Sequence, residues 1–350
     1  MRFPRTGHDV PSLSRRQVLT GFGAAAGSLL LPSSAWTAAP AAGAGYIDVH
    51  HHVFPPEFLT VARANSVSPA AIEQWTLART LEEMDRNGIA SAVASITQPG
   101  VWFGDVEQGR RLARQCNEYM AKLAADHPGR FGFFGALPLP DTEGSLRELA
   151  YALDTLKADG IGMMTSHGDK WAGDPQFAPV LEELNRRKAV VYYHPTGADC
   201  CRTLMSSVTP NLIEYPHDTA RAITSLLFTG SLMKYRDIRF LFSHAGGTLP
   251  VLAGRIAQLA TPKDRAEKMP QGLGAELARL HYEMANAANR AAWGALTSVV
   301  PVSQIMLGSD YPYVPVGATN DGLATLGMTA TELRAVRRDN ALKLLPRFRG

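Results

Sequence analysis

The chain has 350 residues, of which 45% are hydrophobic and 19% are charged, and its formal net charge at pH 7 is +3. This composition is that of a globular protein, and the length allows one large α/β domain or two smaller domains. Four arginines and one aspartate lie within residues 1–45, so these residues carry the whole net charge and the remainder is neutral. We therefore expect no basic surface and no nucleic-acid partner.

The first 45 residues carry the pattern of an export signal. Arg15 and Arg16 form a twin arginine, and small and apolar residues follow at 21–31. That run is shorter than the roughly 20 residues that a membrane span needs. A-x-A motifs at 39–41 and 42–44 are candidate cleavage sites. We expect residues 1–45 to be a twin-arginine signal and linker, read by the twin-arginine export machinery. The mature protein would be periplasmic or exported, without a membrane span; an Ala-rich disordered tail is the alternative.

From residue 46 onward, apolar runs typical of buried parallel strands alternate with helical patterns. Thr80 and Thr329 each open a capping box that predicts a helix start. The doubly wound sheet is a rival fold, but no G-x-G-x-x-G motif opens a helix in this sequence. Strands alternating with helices predict a (β/α)8 TIM barrel over residues 46–350. The predicted strands are Tyr46–His50, Ser91–Ile96, Phe131–Leu137, Gly160–Thr165, Val190–His194, Ile238–Ser243, His281–Ala285 and Gln304–Gly308.

Residues that bind metals or protons follow four of the predicted strands. Three histidines at 50–52 end the first strand, His194 ends the fifth, His244 follows the sixth and Asp310 follows the eighth. The carboxyl ends of barrel strands meet at one face, where active sites lie. Packing alone explains four such endings poorly, because buried polar groups need partners.

The alternation of side chains along a strand assigns the three adjacent histidines to different faces. Successive side chains point to opposite faces. His50 and His52 therefore share the inner face, and Asp48 is expected there too. His51 is expected to point outward, against the helical layer.

His50 and His52 can then bind one divalent metal ion together with His194 and Asp310. Imidazole and carboxylate ligands suit zinc, with manganese or iron as alternatives. An open coordination position would accept water or substrate. His244 remains beside the ion as an acid/base group. This chemistry needs no organic cofactor.

The ordered set of motifs resembles the decarboxylase branch of the amidohydrolase superfamily, across residues 46–350. The stretches that carry the resemblance are IDVHHHVFPPEF, PGRFGFFGALPLPD, YYHPTG, FLFSHAGGTLP and QIMLGSDYPY. They are similar to aminocarboxymuconate-semialdehyde, γ-resorcylate and 6-methylsalicylate decarboxylases. The resemblance implies a metal-dependent, non-oxidative decarboxylase of a small hydroxy-aromatic or related unsaturated carboxylic acid. It also implies a homodimer, with His244 or Asp310 delivering the proton.

Two further residues are candidates for substrate binding. Gln98 follows the second strand, and His167 follows the fourth, where it could meet a substrate carboxylate as a cation. The alternative for each is an ordinary loop residue.

Two other functions use the same residues. A hydrolase of a lactone, ester or amide would use metal-bound hydroxide, with Asp310 as its base. A metal- or solute-binding protein would have no turnover, but an acid/base residue such as His244 beside the ligands argues against it.

Overall fold

The computed structural model describes residues 45–67, 70–201 and 207–349. The predicted export signal therefore lies outside the described residues, apart from Gly45. Within the described residues, eight parallel strands form one sheet in which strands that follow each other in the chain are neighbours. The strands are β1, Tyr46–His52; β2, Ile89–Ser95; β3, Phe131–Ala136; β4, Gly160–Met164; β5, Val190–His194; β6, Arg239–Phe242; β7, His281–Glu283; and β8, Ile305–Met306.

Backbone hydrogen bonds between β1 and the segment after β8 close the sheet. The Val49 N–H donates to the Leu307 carbonyl at 3.0 Å, and the His52 N–H donates to the Tyr311 carbonyl at 2.9 Å. The sheet is therefore a closed barrel. This confirms the predicted (β/α)8 fold, and every predicted strand overlaps an observed one.

Helices surround the barrel. No helix in the described part of the chain has both the length and the apolar character to cross a bilayer. A short hairpin pairs Ser166–His167 with Lys170–Trp171 after β4. The α-helices are Pro56–Ala64, Ala70–Glu73, Leu77–Arg86, Val106–Asp126, Thr142–Ala150, Ala178–Arg186, Pro210–Phe228, Ser231–Lys234, Leu249–Leu259, Pro262–Lys268, Leu273–Leu277, Arg290–Thr297, Val316–Ala324, Ala330–Arg334 and Asn340–Leu344. Single helical turns of other types are Tyr151–Thr155, Pro175–Phe177, Asp199–Cys201, His244–Gly246, Val302–Gln304, Ala335–Asp339 and Pro346–Arg349.

One of the two predicted capping boxes is present. The Thr329 side chain accepts from the Glu332 N–H, and the Glu332 carboxylate binds the Thr329 N–H in return. The prediction at Thr80 is wrong. Its helix begins one turn earlier, where Thr76 accepts from the Arg79 N–H, and the Thr80 hydroxyl donates inside the helix to the Thr76 carbonyl.

Apolar side chains fill the interior of the barrel below its mouth. Val49, Phe134, Tyr192 and Leu241 are buried there together. Leu344, from the last helix, packs against the same cluster. A second, larger cluster lies between the strands and the helices. The rigid barrel thus holds the carboxyl ends of its strands at fixed positions, which is what a precise polar site requires.

Candidate metal centre

A bulge in β1 decides which of its side chains face the interior. Asp48 pairs with Ala92 of β2 and His51 with Ala94, so three steps along β1 match two along β2. An extra residue breaks the alternation of faces. Val49 packs in the barrel interior, and His50 next to it reaches the inner polar cluster.

The expectation that Asp48 lies on the inner face is therefore wrong. Its carboxylate accepts from the Ser309 hydroxyl at 2.6 Å and lies 2.9 Å from the His51 Nδ1 atom. The His51 ring stacks on Tyr311, with ring centroids 5.0 Å apart. His51 thus lies away from the metal-ligand cluster, as the strand period predicts. These contacts fasten β1 to the segment that carries Asp310.

Four predicted ligands come together at the carboxyl ends of β1, β5 and β8. His50, His52, His194 and Asp310 are all buried, and one ligand atom from each lies within 4.8 Å of the others. Asp310 Oδ1 is 3.2 Å from His50 Nε2 and 3.2 Å from His52 Nε2. The two Nε2 atoms are themselves 3.0 Å apart.

The outer nitrogen of each ligand histidine faces an oxygen that accepts a hydrogen bond. A ring that donates from Nδ1 leaves a lone pair on Nε2. All three Nε2 lone pairs then point into the cluster. The Nδ1 partners are Glu283 Oε1 for His50 at 2.8 Å, the Ser95 hydroxyl and carbonyl for His52 at 3.2 and 3.4 Å, and the Pro195 carbonyl for His194 at 2.8 Å.

Asp310 adds a fourth set of lone pairs to the cluster. Its Oδ1 atom is buried without a hydrogen-bond partner. Lone pairs that converge in a buried site repel one another unless a cation lies between them. The four residues therefore fit a metal ion, and the acceptors behind the histidines are those that fix metal-binding imidazoles in other proteins.

The electrostatics of the cluster also favour one added positive charge. Burial lowers the pKa of His50, but Glu283 and Asp310 outweigh burial and raise it to about 10. Burial would raise the pKa of Asp310, yet His50 and its other histidine neighbours hold it well below the usual range. Burial and the nearby His52 and His50 rings lower the pKa of His194 well below its usual value. A divalent cation can take the place of the proton that these carboxylates attract to His50.

His244 lies beside this cluster, in the turn after β6. Its Nε2 atom is 3.5 Å from Asp310 Oδ2, which also accepts from the Asn286 side-chain amide at 2.6 Å. His244, Asn286 and Asp310 have φ angles of 54°, 56° and 62°. Non-glycine residues adopt this left-handed conformation rarely, and such residues cluster at functional sites. The three strand ends turn in the same way and bring these side chains together.

A cavity of about 690 Å³ opens above the cluster. Pockets of about 300–1,000 Å³ bind small organic ligands. Its polar side chains lie at and around the metal ligands, and apolar side chains form the rest of its wall. The polar members include Gln98, His194, His244, Asn286, Asn289 and Asp310, and the apolar ones include Leu212, Ala292 and Val314.

The two predicted substrate residues differ in position. Gln98 lines the cavity above the cluster. His167 lines a separate small cavity, with Phe134 and Met164. The centroid of its ring lies 5.5 Å from that of the Phe177 ring. Burial lowers the pKa of His167 to about 4, which favours the neutral ring at pH 7 and weighs against its expected role as a cation. A contact between substrate and a neutral His167 stays a prediction.

Two residues of the site, Glu283 and Asn286, are not among those that the sequence predicts. Glu283 is fully buried and lies in the otherwise apolar run around β7. A lone acidic residue in a buried strand needs a partner, and that signal could have identified it. Asn286 lies in the turn after β7 and has no comparable signal.

A sequence profile described as amidohydrolase matches residues 47–347. The decarboxylase yanB of Aspergillus niger is 36% identical over 324 residues, which cover 86% of this chain and 88% of that protein. The 6-methylsalicylic acid decarboxylase acuB of Aspergillus aculeatus is 34% identical over 322 residues, covering 87% of this chain and 96% of that protein.

A solved structure of another protein has a fold similar to that of this chain. It is a dihydroxybenzoic acid decarboxylase from Polaromonas, with bound manganese and the inhibitor 2-nitroresorcinol. Its TM-score is 0.78 at 20% identity, and the match covers 87% of this chain and 98% of that one.

Proposed function

The chain belongs to the amidohydrolase family, and we propose that it is a metal-dependent, non-oxidative decarboxylase of a small hydroxy-aromatic or related unsaturated carboxylic acid. The observation that carries this proposal is the buried His/Asp cluster on the floor of a ligand-sized cavity, with His244 beside it. A hydrolase would use the same cluster. The names of relatives that are 33–36% identical favour a carboxy-lyase, and they point to substrates like 6-methylsalicylate.

His50, His52, His194 and Asp310 would hold one divalent metal ion. Their nitrogen and carboxylate donors suit zinc, and the related decarboxylase with bound manganese supports manganese as the alternative. When bound, the ion supplies positive charge that binds a substrate oxygen and orients the ring. No organic cofactor is needed for the reaction below.

His244 is the proposed proton donor. Asp310 is less suited, because its Oδ1 faces the ligand histidines and its Oδ2 accepts from the Asn286 amide. A proton moves from the His244 ring to the carbon that bears the carboxylate, and a C–H bond forms. The C–C bond to the carboxylate then breaks, its electron pair returns to the ring, CO2 leaves, and a solvent proton restores His244.

The cavity shape fits this class of substrate. Apolar side chains such as Leu212, Ala292 and Val314 can cover the faces of an aromatic ring. Gln98 and Asn289 offer amide groups to ring hydroxyls. The small molecule would thus be held by its ring and oriented by its oxygens.

The deciding experiment combines metal analysis with product analysis. Purified protein is loaded with zinc or manganese and incubated with 6-methylsalicylate, 2,6-dihydroxybenzoate and salicylate. We expect CO2 and the matching phenol in equal amounts. A parallel panel of aryl esters and lactones tests hydrolysis. Hydrolysis without CO2 release from any acid, in fully loaded protein, would reverse the proposal.

We also infer that the protein works as a homodimer. Exposed apolar side chains on two helices support this: Leu212 and Val251 are 65% and 74% exposed. These two helices contact each other, and exposed apolar residues that form one patch are typical of protein interfaces. Light scattering should give twice the chain mass, and Val251→Glu should shift it toward the single chain. A single-chain mass for the unaltered protein would contradict the inference.

Export by the twin-arginine route is the proposed localisation, on the sequence pattern alone. The route carries folded proteins, so the metal could be bound before transport. Replacement of Arg15 and Arg16 by lysine in the full chain should abolish appearance in the periplasmic fraction. Unchanged export of the lysine variant would contradict the signal assignment.

A further inference from the structure

We propose that Glu283 is a positioning residue that fixes both the metal ligand His50 and the acid/base residue His244 through one carboxylate oxygen. This inference rests on the proposed function of the site. It adds a residue whose side chain lies behind the cluster, outside the four ligands and the cavity wall.

Both oxygens of Glu283 are used as acceptors. Oε1 lies 2.8 Å from His50 Nδ1 and accepts from the His244 backbone N–H at 2.7 Å. Oε2 accepts from the Ala285 N–H at 2.6 Å. The side chain is fully buried, so water does not compete for these bonds. Bonds from N–H groups to a carboxylate are about twice as strong as neutral ones.

The two hydrogen bonds that Glu283 Oε1 accepts have different effects. The bond to His50 keeps a proton on Nδ1, so the Nε2 lone pair of that ring faces the other ligands. The bond to His244 stabilises a left-handed backbone, with φ at 54°, that a histidine rarely adopts. One atom therefore links the orientation of a metal ligand to the orientation of the proposed proton donor.

The surroundings of Glu283 differ from those of a structural buried acid. Glu276 is also buried, and it forms ion pairs with Arg236 at 2.8 Å and Arg279 at 3.0 Å. Within the described residues, Glu283 forms an ion pair with His50 alone. A buried carboxylate without a guanidinium or ammonium partner is costly unless other donors or a cation compensate it. For Glu283, the compensating groups are the His50 ring and the N–H groups of His244 and Ala285, all at the metal site.

Gly308 leaves the space that Glu283 occupies. A Cβ atom at position 308 would lie 2.1 Å from Glu283 Oε2 and 2.8 Å from the His50 Cβ. Gly308→Ala should therefore displace the carboxylate while its charge stays in the protein. Because the same Cβ atom also crowds the His50 Cβ, this variant tests the packing around both residues, whereas Glu283→Asp tests the position of the carboxylate alone.

The test compares Glu283→Gln, Glu283→Asp and Gly308→Ala with the control Glu276→Gln. The glutamine places an NH2 group against at least one N–H donor, and the aspartate is too short to reach both partners of Oε1. Zinc affinity, measured by chelator competition, should fall about 10–100-fold in all three variants, as for other partners of metal-binding histidines. With saturating zinc, kcat should fall, because His244 is misplaced. Glu276→Gln should lower the melting temperature and leave zinc affinity unchanged.

Nitrogen NMR of the histidine rings gives a readout independent of turnover. In the zinc-loaded, unaltered protein, His50 should carry its proton on Nδ1 with the resonance of a hydrogen bond to a carboxylate, and in Glu283→Gln and Glu283→Asp that resonance should shift. Zinc affinity and the His50 Nδ1–H resonance both unchanged in Glu283→Gln and Glu283→Asp would overturn the inference, and so would equal loss of zinc in Glu276→Gln. If Glu283→Gln does not fold, Glu283→Asp decides the question. If no acid is decarboxylated, the proposed function fails, but zinc affinity and the His50 resonance still test Glu283.

Discussion

Replacing His51 and His50 separately by alanine tests the arrangement of the adjacent histidines. His50 presents Nε2 to the cluster, whereas the His51 ring binds Asp48 and stacks on Tyr311 outside it. A structural zinc site contributes about 10–16 kcal/mol of binding free energy, so one of four ligands accounts for roughly 2.5–4 kcal/mol. His50→Ala should therefore weaken zinc binding about 100- to 1,000-fold, since about 1.4 kcal/mol corresponds to a factor of ten.

His51→Ala should keep zinc affinity within about threefold of that of the unaltered protein, because no ligand is lost. This range corresponds to a change in binding free energy below about 0.7 kcal/mol. It should lower the free energy of unfolding by about 1–3 kcal/mol, through one buried hydrogen bond and one ring stack. Chelator competition measures the first quantity, and urea unfolding of the metal-free proteins measures the second. A loss of zinc affinity in His51→Ala as large as in His50→Ala would refute the assignment of His50 and His51 to opposite faces of β1.

Three further outcomes are expected. His244→Asn should keep bound metal and lower kcat by about 10²–10⁴-fold, the usual contribution of a positioned acid; near-normal kcat would remove His244 from its role. Asp310→Asn should lose metal, because an amide is a neutral and weaker donor, and elemental analysis of the dialysed variant checks this. The pKa of His167 is lowered to about 4 by burial, against 6.5 in the unfolded chain. The unfolded state therefore binds a proton first, and stability falls as pH drops from about 6.5 to 4, by at most about 3 kcal/mol. His167→Gln should flatten this fall in urea titrations, and an unchanged slope would contradict the neutral assignment.

The strands and the convergence of the four candidate ligands could be predicted from the sequence, because both follow from local patterns. Buried parallel strands appear as apolar runs, and a residue such as His194 directly after such a run must lie at the barrel mouth. The position of Asp48 could not be predicted, because the bulge that turns it outward depends on how β1 pairs with β2. The same limit applies to Asn286, whose function depends on its contact with Asp310 from another strand end.

His167 shows a different limit. A histidine after the fourth strand is consistent with a substrate contact, but its charge depends on burial, which the local sequence does not determine. In the structure the ring lies against Phe177 and its Nε2 atom is buried without a hydrogen-bond partner. Desolvation then favours the neutral ring.

The charges of the site lead to one last prediction. A divalent ion would be balanced by the carboxylates of Asp310 and Glu283, which lie on two sides of His50. A substrate carboxylate entering a balanced site gains attraction only from an added positive charge, and among the described residues that line the cavity His244 is the one outside the ligand set that can carry it. His244→Asn should therefore weaken binding of the acid as well as lower kcat. A charged hydrogen bond contributes about 1.5–3 kcal/mol, or roughly 10- to 150-fold in Kd. The phenol product lacks the carboxylate and should bind the variant as it binds the unaltered protein. Calorimetry with the acid at low temperature and with the phenol measures both constants, and an equal weakening of the two would show that His244 does not act through charge.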